Sequence, residues 1–416
     1  MLAAPHGRPT VPPMQRRTAG TGAVLVTILL DAIGVGLIFP VLPSLVEGFL
    51  GTGPAGASRP MGLLMSAYAL MLFLCAPALG SLSDRLGRRP VILVTLAGAT
   101  IDYALMALAP ALWVLFLGRL LAGACGANHA TAAAYIADVT PPEKRARSFG
   151  LIGAAFGLGF ILGPALGGLL GAFGPRVPFW VAGGLTLLNL LYALFVLPES
   201  LPVERRRPFS WASANPLGSL ARLRAFPGVI GLAAVFIAVQ LAGQVPPAVW
   251  PLFTEHRFAW TPRDIGVSLA VVGICMATAQ GLLTGRVIGL LGERRALLVG
   301  LVLCIAAFLL FGSAGGGWMM YPITALYSLG CITGPAAQAM MSHRAPADRQ
   351  GELQGSLTSL ISVVAVVGPI FAAEAFAWGA APGMPPLFDG APWFAGAAVF
   401  ALALALAPLA LRRSAP

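Results

Sequence analysis

Twelve apolar stretches, each long enough to cross a lipid bilayer, constrain this chain more than any other feature of its sequence. A helix crosses the hydrocarbon core with about 20 predominantly apolar residues. Hydrophobic residues make up 58% of the chain and charged residues 10%, whereas soluble domains carry about 25% charged residues. We therefore predict an all-α membrane protein with twelve transmembrane helices. These spans lie near residues 22–47, 60–82, 90–109, 112–138, 146–173, 176–197, 227–252, 263–290, 294–313, 317–342, 352–378 and 391–411.

The basic residues predict the orientation of these spans. With a cytoplasmic N-terminus, 21 of the 26 Lys and Arg residues fall in segments on the cytoplasmic side, which is the asymmetry that the positive-inside rule describes. The formal net charge of +11 is then a topology signal and gives no reason to expect a nucleic-acid partner. We expect a multi-pass protein of the cytoplasmic (inner) membrane with both termini in the cytoplasm.

A polar segment near the middle of the chain divides the spans into two groups of six. We predict a disordered cytoplasmic N-tail over residues 1–20, in which Met14 is an alternative translation start to Met1. An N-terminal six-helix bundle is predicted over 21–197, a cytoplasmic linker over 198–226, a C-terminal six-helix bundle over 227–411 and a cytoplasmic C-tail over 412–416.

The two groups of spans share an internal repeat. Gly163-Pro164 and Gly368-Pro369 are 205 residues apart, and so are Gly150 and Gly355. A duplication of one six-helix unit explains this common register. Two such halves, with a binding site between them near the bilayer midplane, are the architecture of transporters that alternate access by rocking.

The loop between the second and third spans, residues 80–90, resembles the signature loop of the major facilitator superfamily. Glycines permit a tight helix-to-helix turn, and a carboxylate accepts charge-assisted hydrogen bonds from guanidinium groups. A merely topogenic basic turn explains the arginines but not the carboxylate or the glycines. The resemblance implies the major facilitator fold and a conformational latch at Gly80, Asp84, Arg85, Gly87, Arg88 and Arg89.

The fifth span resembles the motif of the antiporter branch of that superfamily. Small residues let two helices approach closely, and a proline bends the helix. Ordinary close packing is the alternative explanation. The motif residues are Gly159, Gly163, Pro164, Gly167 and Gly168.

A narrower resemblance covers nearly the whole chain beyond residue 20. The segments 30–43, 97–103, 118–119, 137–138, 243–250 and 350–357 are similar to the tetracycline/proton antiporters, a branch of twelve-span drug exporters. The resemblance implies export of a tetracycline-like drug in exchange for protons by alternating access. It implies a drug, protons and lipid as partners and the proton gradient as the energy source, with no ATP and no cofactor; whether a divalent cation travels bound to the drug is left open.

Four charged side chains are predicted at membrane depth: Asp31, Asp102, Arg119 and Glu374. Such residues are costly in a bilayer and are functional candidates by default. Asp102 and Arg119 fall at similar depths on adjacent spans. We hypothesise that Asp31 or Asp102 carries the proton, and that Arg119 tunes Asp102 or orients an anionic part of the substrate. The alternative is a structural Asp102–Arg119 ion pair that only joins two helices.

The sequence departs from this branch at three polar positions. The family's acidic residue of the ninth span falls at Cys304, its histidine of the eighth span at Met276, and a glutamine of its drug pocket at Leu72. Glu374 and His129 stand where the branch has apolar or small residues, and either is a candidate replacement in proton coupling. The alternative for Glu374 is an end-of-helix carboxylate that reaches water. The alternative for His129 is a hydrogen-bonded packing residue.

The C-terminal half offers uncharged polar and aromatic groups at membrane depth. Amides donate and accept hydrogen bonds, which suits a polyoxygenated ligand, although glutamines also bridge helices. The candidate substrate-binding residues are Gln240, Gln244, Trp250, Gln280, Gln338 and Tyr327. Two alternative functions are open. One is an exporter of a different amphiphilic substrate on the same fold, and the other is a non-transporting membrane sensor or scaffold. The sequence contains no phosphate-binding loop, metal-ligand cluster or activated nucleophile, so we do not expect an enzyme.

Overall fold

The computed structural model describes residues 14–209, 228–346 and 349–412, together with positions 218, 223 and 226. Each predicted span is helical, so the predicted fold class is confirmed. The first helix begins at Met14, and the prediction of disorder up to residue 20 is therefore wrong for its last seven residues. The N-terminal half consists of Met14–Ile38 and Leu42–Leu50 (span one), Pro54–Leu86 (two), Arg88–Leu108 (three), Leu112–Ala124 and Asn128–Val139 (four), Pro142–Gly171 (five) and Val177–Val196 (six).

The C-terminal half repeats this arrangement. Most of the predicted linker over 198–226 lies outside the described residues, as does the C-tail beyond 412. The half consists of Ile230–Ala242 and Val245–Phe258 (span seven), Pro262–Thr278, Ala279–Leu283 and Thr284–Leu291 (eight), Glu293–Ser313 (nine), Met320–Gly330 and Thr333–His343 (ten), Gln350–Gly379 (eleven) and Ala391–Arg412 (twelve).

Four spans are broken near their middles, at equivalent places in the two halves. Span four is interrupted between Ala124 and Asn128, and span ten between Gly330 and Thr333. Spans one and seven are interrupted after residues 38 and 242, next to prolines that cannot donate a backbone hydrogen bond. Broken helices at membrane depth are tolerated where they line a cavity or are buried in protein. The four breaks therefore indicate that these parts of spans one, four, seven and ten lie at the centre of the molecule.

The two halves meet on the side predicted to face outwards. Ser58 of span two is buried and its hydroxyl donates to the carbonyl oxygen of Ala373 in span eleven, 2.8 Å away. Gly62, one turn further along span two, lies directly against the backbone of Pro369. These contacts close the outer ends of spans two and eleven.

The opposite, cytoplasmic ends of spans five and eight diverge. Gly153, Gly157, Ile161 and Gly168 lie on one stripe of span five. Ile161 and Gly168 contact span eight, whereas no described atom lies within 4 Å of the position that a Cβ at Gly153 or Gly157 would occupy. The structure is therefore closed on the outer side and splayed on the cytoplasmic side, which corresponds to an inward-facing state.

Candidate functional site

A cavity of about 300 Å³ lies between the two halves. This volume is at the lower end of the range for small-molecule sites, about 300 to 1,000 Å³. Spans one to four supply all the charged groups of its wall, and spans seven and eleven supply an uncharged surface that includes Gln244. The lining includes Asp31, Phe39, Met65, Tyr68, Leu72, Asp102, Tyr103, Arg119, Asn128, Gln244, Pro247 and Pro369.

Asp102 and Arg119 form an ion pair in the wall of this cavity. Both side chains are buried, and Arg119 Nη2 donates to Asp102 Oδ2. Gly118 makes the approach possible, because a Cβ there would lie 2.6 Å from Asp102 Oδ1. Asp102 Oδ1 and Arg119 Nε have no hydrogen-bond partner among the described residues. The two groups predicted to be neighbours thus lie together, and each keeps one buried polar atom without a partner among the described residues.

Asp31 is held by a residue that the sequence did not single out. The Asn128 amide nitrogen donates to Asp31 Oδ1 over 3.2 Å, and the amide oxygen of Asn128 accepts from the hydroxyl of Thr95. Asn128 is the first residue after the break in span four, so the interruption of that helix aims its side chain at span one. An asparagine two residues after Gly126, in a predicted membrane span, was the available signal.

The signature loop is organised around Arg88. Its guanidinium is 2.6 Å from Asp84 Oδ1 and 3.0 Å from Asp138 Oδ2 in span four. Gly87 has a φ of 108°, a conformation that favours glycine, and it lets span three begin immediately. Glu199, just after span six, accepts from the backbone N–H of Arg88 over 2.9 Å. Asp138 and Glu199 thus complete the predicted latch network, although neither was among its predicted residues.

The remaining predicted latch residues lie at the edge of this network. Arg89 donates to the carbonyl oxygen of Leu194 in span six, 2.6 Å away. Arg85 is exposed, and Gly80 has no described atom within 4 Å of the position that a Cβ would occupy. The hydrogen bonds that Arg88 and Arg89 make with described residues go to the N-terminal half and to Glu199 just after it.

The small residues of span five form two separate faces. Gly159, Gly163 and Gly167 lie against the backbone or Cβ atoms of span one. Gly168 faces the other way: a Cβ there would lie 2.5 Å from the carbonyl oxygen of Pro262 and 2.9 Å from Gly266 Cα, both in span eight. The carbonyl oxygen of Pro164 faces Gly266 as well. The motif therefore packs span five inside its own half and also docks one half against the other.

Only one of the predicted substrate residues, Gln244, lines the cavity. Trp250 and Tyr327 are buried in the core of the C-terminal half and do not line this cavity, so their role in substrate binding stays a prediction. Trp250 Nε1 donates to Ser268 Oγ over 3.0 Å, and its ring packs against Phe311 with centroids 5.5 Å apart. The faces of spans seven and ten that carry these two aromatic side chains turn away from the other half. The rings therefore fill the space between helices.

The other predicted glutamines also lie outside the wall of the described cavity. Gln338 is exposed, and its amide donates to Gln354 Oε1 over 2.8 Å. Gln280 is exposed within a π-helical turn of span eight, and Gln240 is partly buried in span seven. Helical rotation, which the sequence alone does not fix, separates these amides from Gln244.

Glu374 lies near the outer end of span eleven, which favours the end-of-helix alternative. It lies five residues before the outer end of span eleven, and its carboxylate accepts from Arg59 Nε over 3.0 and 3.1 Å. The two side chains are 52% and 64% exposed, so the pair contributes at most about 1 kcal/mol. The side chain of His129 lies outside the described part of the chain. The role of His129 in proton coupling stays a prediction.

The three departures from the family fall in different environments. Leu72 lines the cavity, so the loss of the glutamine changes the binding surface itself. Cys304 is fully buried beside Gly330, whose Cβ would lie 2.6 Å from the sulfur. Met276 is partly buried and packs against the hydrophobic core. The ninth-span position is therefore a buried packing site in this protein, where the Cys304 thiol contacts the thiol of Cys331.

Comparisons with known proteins agree with this architecture. The model of the Major Facilitator Superfamily matches residues 24–249 and 232–416. The chain is 45% identical to the class C tetracycline resistance protein of Escherichia coli, over 94% of this chain and 96% of that protein. It is 38% identical to the class B protein of Escherichia coli, over 93% and 95%.

Solved structures share the fold. A bacterial homologue of the human lysosomal transporter Spinster superposes with a TM-score of 0.77 at 17% identity, covering 97% of this chain and 98% of that one. The human organic anion transporter MFSD10 (TETRAN) superposes with a TM-score of 0.68 at 27% identity, covering 95% and 100%. The relatives are membrane transporters and not enzymes. This multi-pass membrane chain belongs to the Major Facilitator Superfamily and, within it, to the family of the tetracycline resistance proteins.

Proposed function

We propose that this protein exports a tetracycline-like drug from the cytoplasm across the inner membrane in exchange for protons. The cavity between the halves is the main observation that supports this proposal. One of its walls carries two carboxylates and an arginine, and the opposite wall is uncharged and carries an amide. Close similarity to proteins named for tetracycline resistance supports the substrate class. Both termini lie in the cytoplasm in this proposal, as the distribution of basic residues favours.

The N-terminal wall handles the proton. A carboxylate at membrane depth that faces a cavity can exchange protons with water there, and Asp31 and Asp102 both line this cavity. Arg119 Nε has no hydrogen-bond partner among the described residues, so the guanidinium can bind an anionic oxygen of the drug while its Nη2 stays paired with ionised Asp102. Protonation of Asp102 would end that ion pair, and with it the arrangement of Arg119 that binds the drug. Proton and drug therefore exclude one another at this pair of side chains.

The remaining wall holds the drug. Gln244 and Asn128 offer amides, and the apolar side chains of Phe39 and Met65 offer contact for the ring system. No resident cofactor takes part in this proposal. A divalent cation, where the drug chelates one, travels as part of the substrate.

Alternating access follows from the inter-half contacts. The drug enters from the cytoplasmic side in the state described above. Its release outside requires the Ser58–Ala373 and Gly168–Gly266 contacts to separate. Proton binding from outside then favours return to the outer-closed state. The latch network of Arg88 stays within one half, so that half moves as a unit.

Everted membrane vesicles test this function. Inside-out vesicles carrying the protein should accumulate tetracycline when a proton gradient is imposed, and Asp31→Asn or Asp102→Asn should each reduce the uptake at least about tenfold. Glu374→Gln is the matched control, since it removes an exposed carboxylate outside the cavity. Uptake equal to the parent protein in both aspartate variants would refute the proposed coupling.

A second substrate class is favoured by one observation. Leu72 replaces a glutamine in the cavity wall, where it lies in the same lining as Met65 and Phe39. A less polar wall suits a less oxygenated amphiphile. A drug-susceptibility panel in an efflux-deficient host decides between the two: protection against tetracyclines supports the first substrate, and protection only against other amphiphilic compounds supports the second.

A further inference from the structure

Three side chains from three spans form one chain of hydrogen bonds that runs from the cavity wall into the protein interior. Asp31 of span one, Asn128 of span four and Thr95 of span three are joined in that order. Thr95 is fully buried and Asn128 is 8% exposed. The Thr95 hydroxyl also lies 3.0 Å from the carbonyl oxygen of Val91 and 2.9 Å from that of Ile92.

The protons in this chain can be arranged in two ways. A hydroxyl has a single proton to donate, yet three acceptors surround Thr95 Oγ1. If that proton goes to Asn128 Oδ1, the Asn128 amide nitrogen faces Asp31 and donates to an ionised carboxylate. If it goes to a backbone carbonyl, Thr95 Oγ1 can accept from the Asn128 nitrogen. The Asn128 oxygen then faces Asp31, where only a protonated carboxyl group makes a hydrogen bond.

We infer that the side-chain amide of Asn128 rotates by half a turn each time Asp31 gains or loses its proton. Asn128 is thereby the positioning residue that makes Asp31 a reversible proton carrier. In the ionised state, Asn128 donates to Asp31 and Thr95 donates to Asn128. In the protonated state, Asp31 donates to Asn128, Asn128 donates to Thr95, and Thr95 donates to the backbone. The inference rests on the proposed function only in taking Asp31 as a proton carrier.

Both states are hydrogen-bonded, and this is the physical advantage of the arrangement. A buried polar group that loses its partner costs about 1 to 3 kcal/mol. Beside a fixed donor, a protonated carboxyl group could still accept through its other oxygen, but its new O–H would have no acceptor. An amide presents a donor on one side and an acceptor on the other. Its rotation requires no movement of a helix.

The other charged and titratable groups near Asp31 do not replace this partner. Tyr68, Asp102, Tyr103, Arg119 and Cys125 share the cavity wall with Asp31. Asn128 is the partner that the structure gives to Asp31 Oδ1 among the described side chains. His129 follows Asn128 in the chain and is therefore included below as a control.

Infrared difference spectroscopy of the purified protein in lipid tests the inference directly. Spectra recorded between acidic and alkaline pH should contain a carboxylic acid band that Asp31→Asn abolishes. Asparagine labelled with ¹⁵N should reveal an amide band that shifts at the same pH, because its oxygen exchanges one partner for another. The shift should be lost in Asp31→Asn and in Asn128→Leu and kept in His129→Ala.

A matched pair of Thr95 variants provides the transport test. Thr95→Val removes the hydroxyl without changing the size of the side chain, and we expect proton-driven uptake to fall about tenfold because the rotated amide loses its acceptor. Thr95→Ser keeps the hydroxyl and should keep the parent rate. Equal rates in these two variants would overturn the inference.

The spectra separate failure of the inference from failure of the proposed function. An Asp31 band that titrates without any asparagine band would overturn the amide rotation and leave proton export intact. The absence of a titrating Asp31 band in the parent protein would overturn both the rotation and the role of Asp31 as carrier.

Discussion

The contact between Gly168 and span eight holds the outer sides of the two halves together, and one added methyl group should weaken it. A Cβ at residue 168 would lie 2.5 Å from the carbonyl oxygen of Pro262 and 2.9 Å from Gly266 Cα, whereas ordinary contact begins at 3.4 Å. Both neighbours are backbone atoms, which cannot rotate away. In the Gly168→Ala variant, spans five and eight must therefore separate by roughly 0.9 Å at this point.

The size of the effect follows from this displacement. Overpacking a close contact costs about 1 to 3 kcal/mol, and a gap of about 0.5 to 1 Å forfeits a quarter to a half of the dispersion energy of the flanking atoms. Because the contact joins the two halves, the cost falls on the outer-closed state. We expect the ratio of outer-open to outer-closed molecules to rise about 5- to 150-fold.

Labelling of a buried reporter measures that ratio. Ser58→Cys places a thiol at a fully buried position under span eleven, where a membrane-impermeant maleimide added from outside reaches it only after the outer side opens. Gly168→Ala should accelerate labelling by the factor given above. Gly157→Ala is the matched control, because it lies on the same stripe of span five and faces open space. Equal labelling rates in the two alanine variants would refute the reasoning.

Three further predictions concern other parts of the molecule. Gln244→Ala should raise the KM for drug transport about tenfold by removing an amide from the cavity wall, while the exposed Gln338→Ala should leave it unchanged in the same vesicle assay. Arg88→Ala should lower the unfolding temperature in detergent, because it leaves Asp84 and Asp138 without their shared partner. Arg85→Ala, at an exposed position, should leave the unfolding temperature unchanged. Equal unfolding temperatures in the two variants would contradict the latch network. Cys304→Asp should be destabilised by several kcal/mol since it buries a carboxylate at a fully buried position that has no described cation beside it, with Cys304→Ser as the control and the unfolding temperature as the measurement.

Local chemistry made several elements predictable. Apolar length fixes which segments are spans, and the glycines and arginines of residues 80–90 fix the turn between spans two and three, because both depend on neighbours in the sequence. The depth of a residue along a helix also follows from counting. For this reason Asp102 and Arg119 were expected at one level, and they form an ion pair.

The direction in which a side chain points was much less predictable. Trp250 and Gln244 belong to the same predicted span, yet Gln244 lines the cavity and Trp250 packs inside its own half. Hydrophobicity does not distinguish these faces, since lipid and helix core are equally apolar. The ion pair of Glu374 was not predictable for a related reason: its partner Arg59 is 315 positions away in the chain.

The sequence by itself determined the twelve spans, their predicted orientation and the two motifs, because hydrophobic length, basic residues and turn glycines act locally. Only the tertiary structure decided which groups meet across spans. The break before Asn128 turns its amide towards Asp31, and the two faces of span five divide its contacts between its own half and the other. These relations depend on the rotation and docking of whole helices, which arise when packed surfaces come together and are not encoded in any short segment.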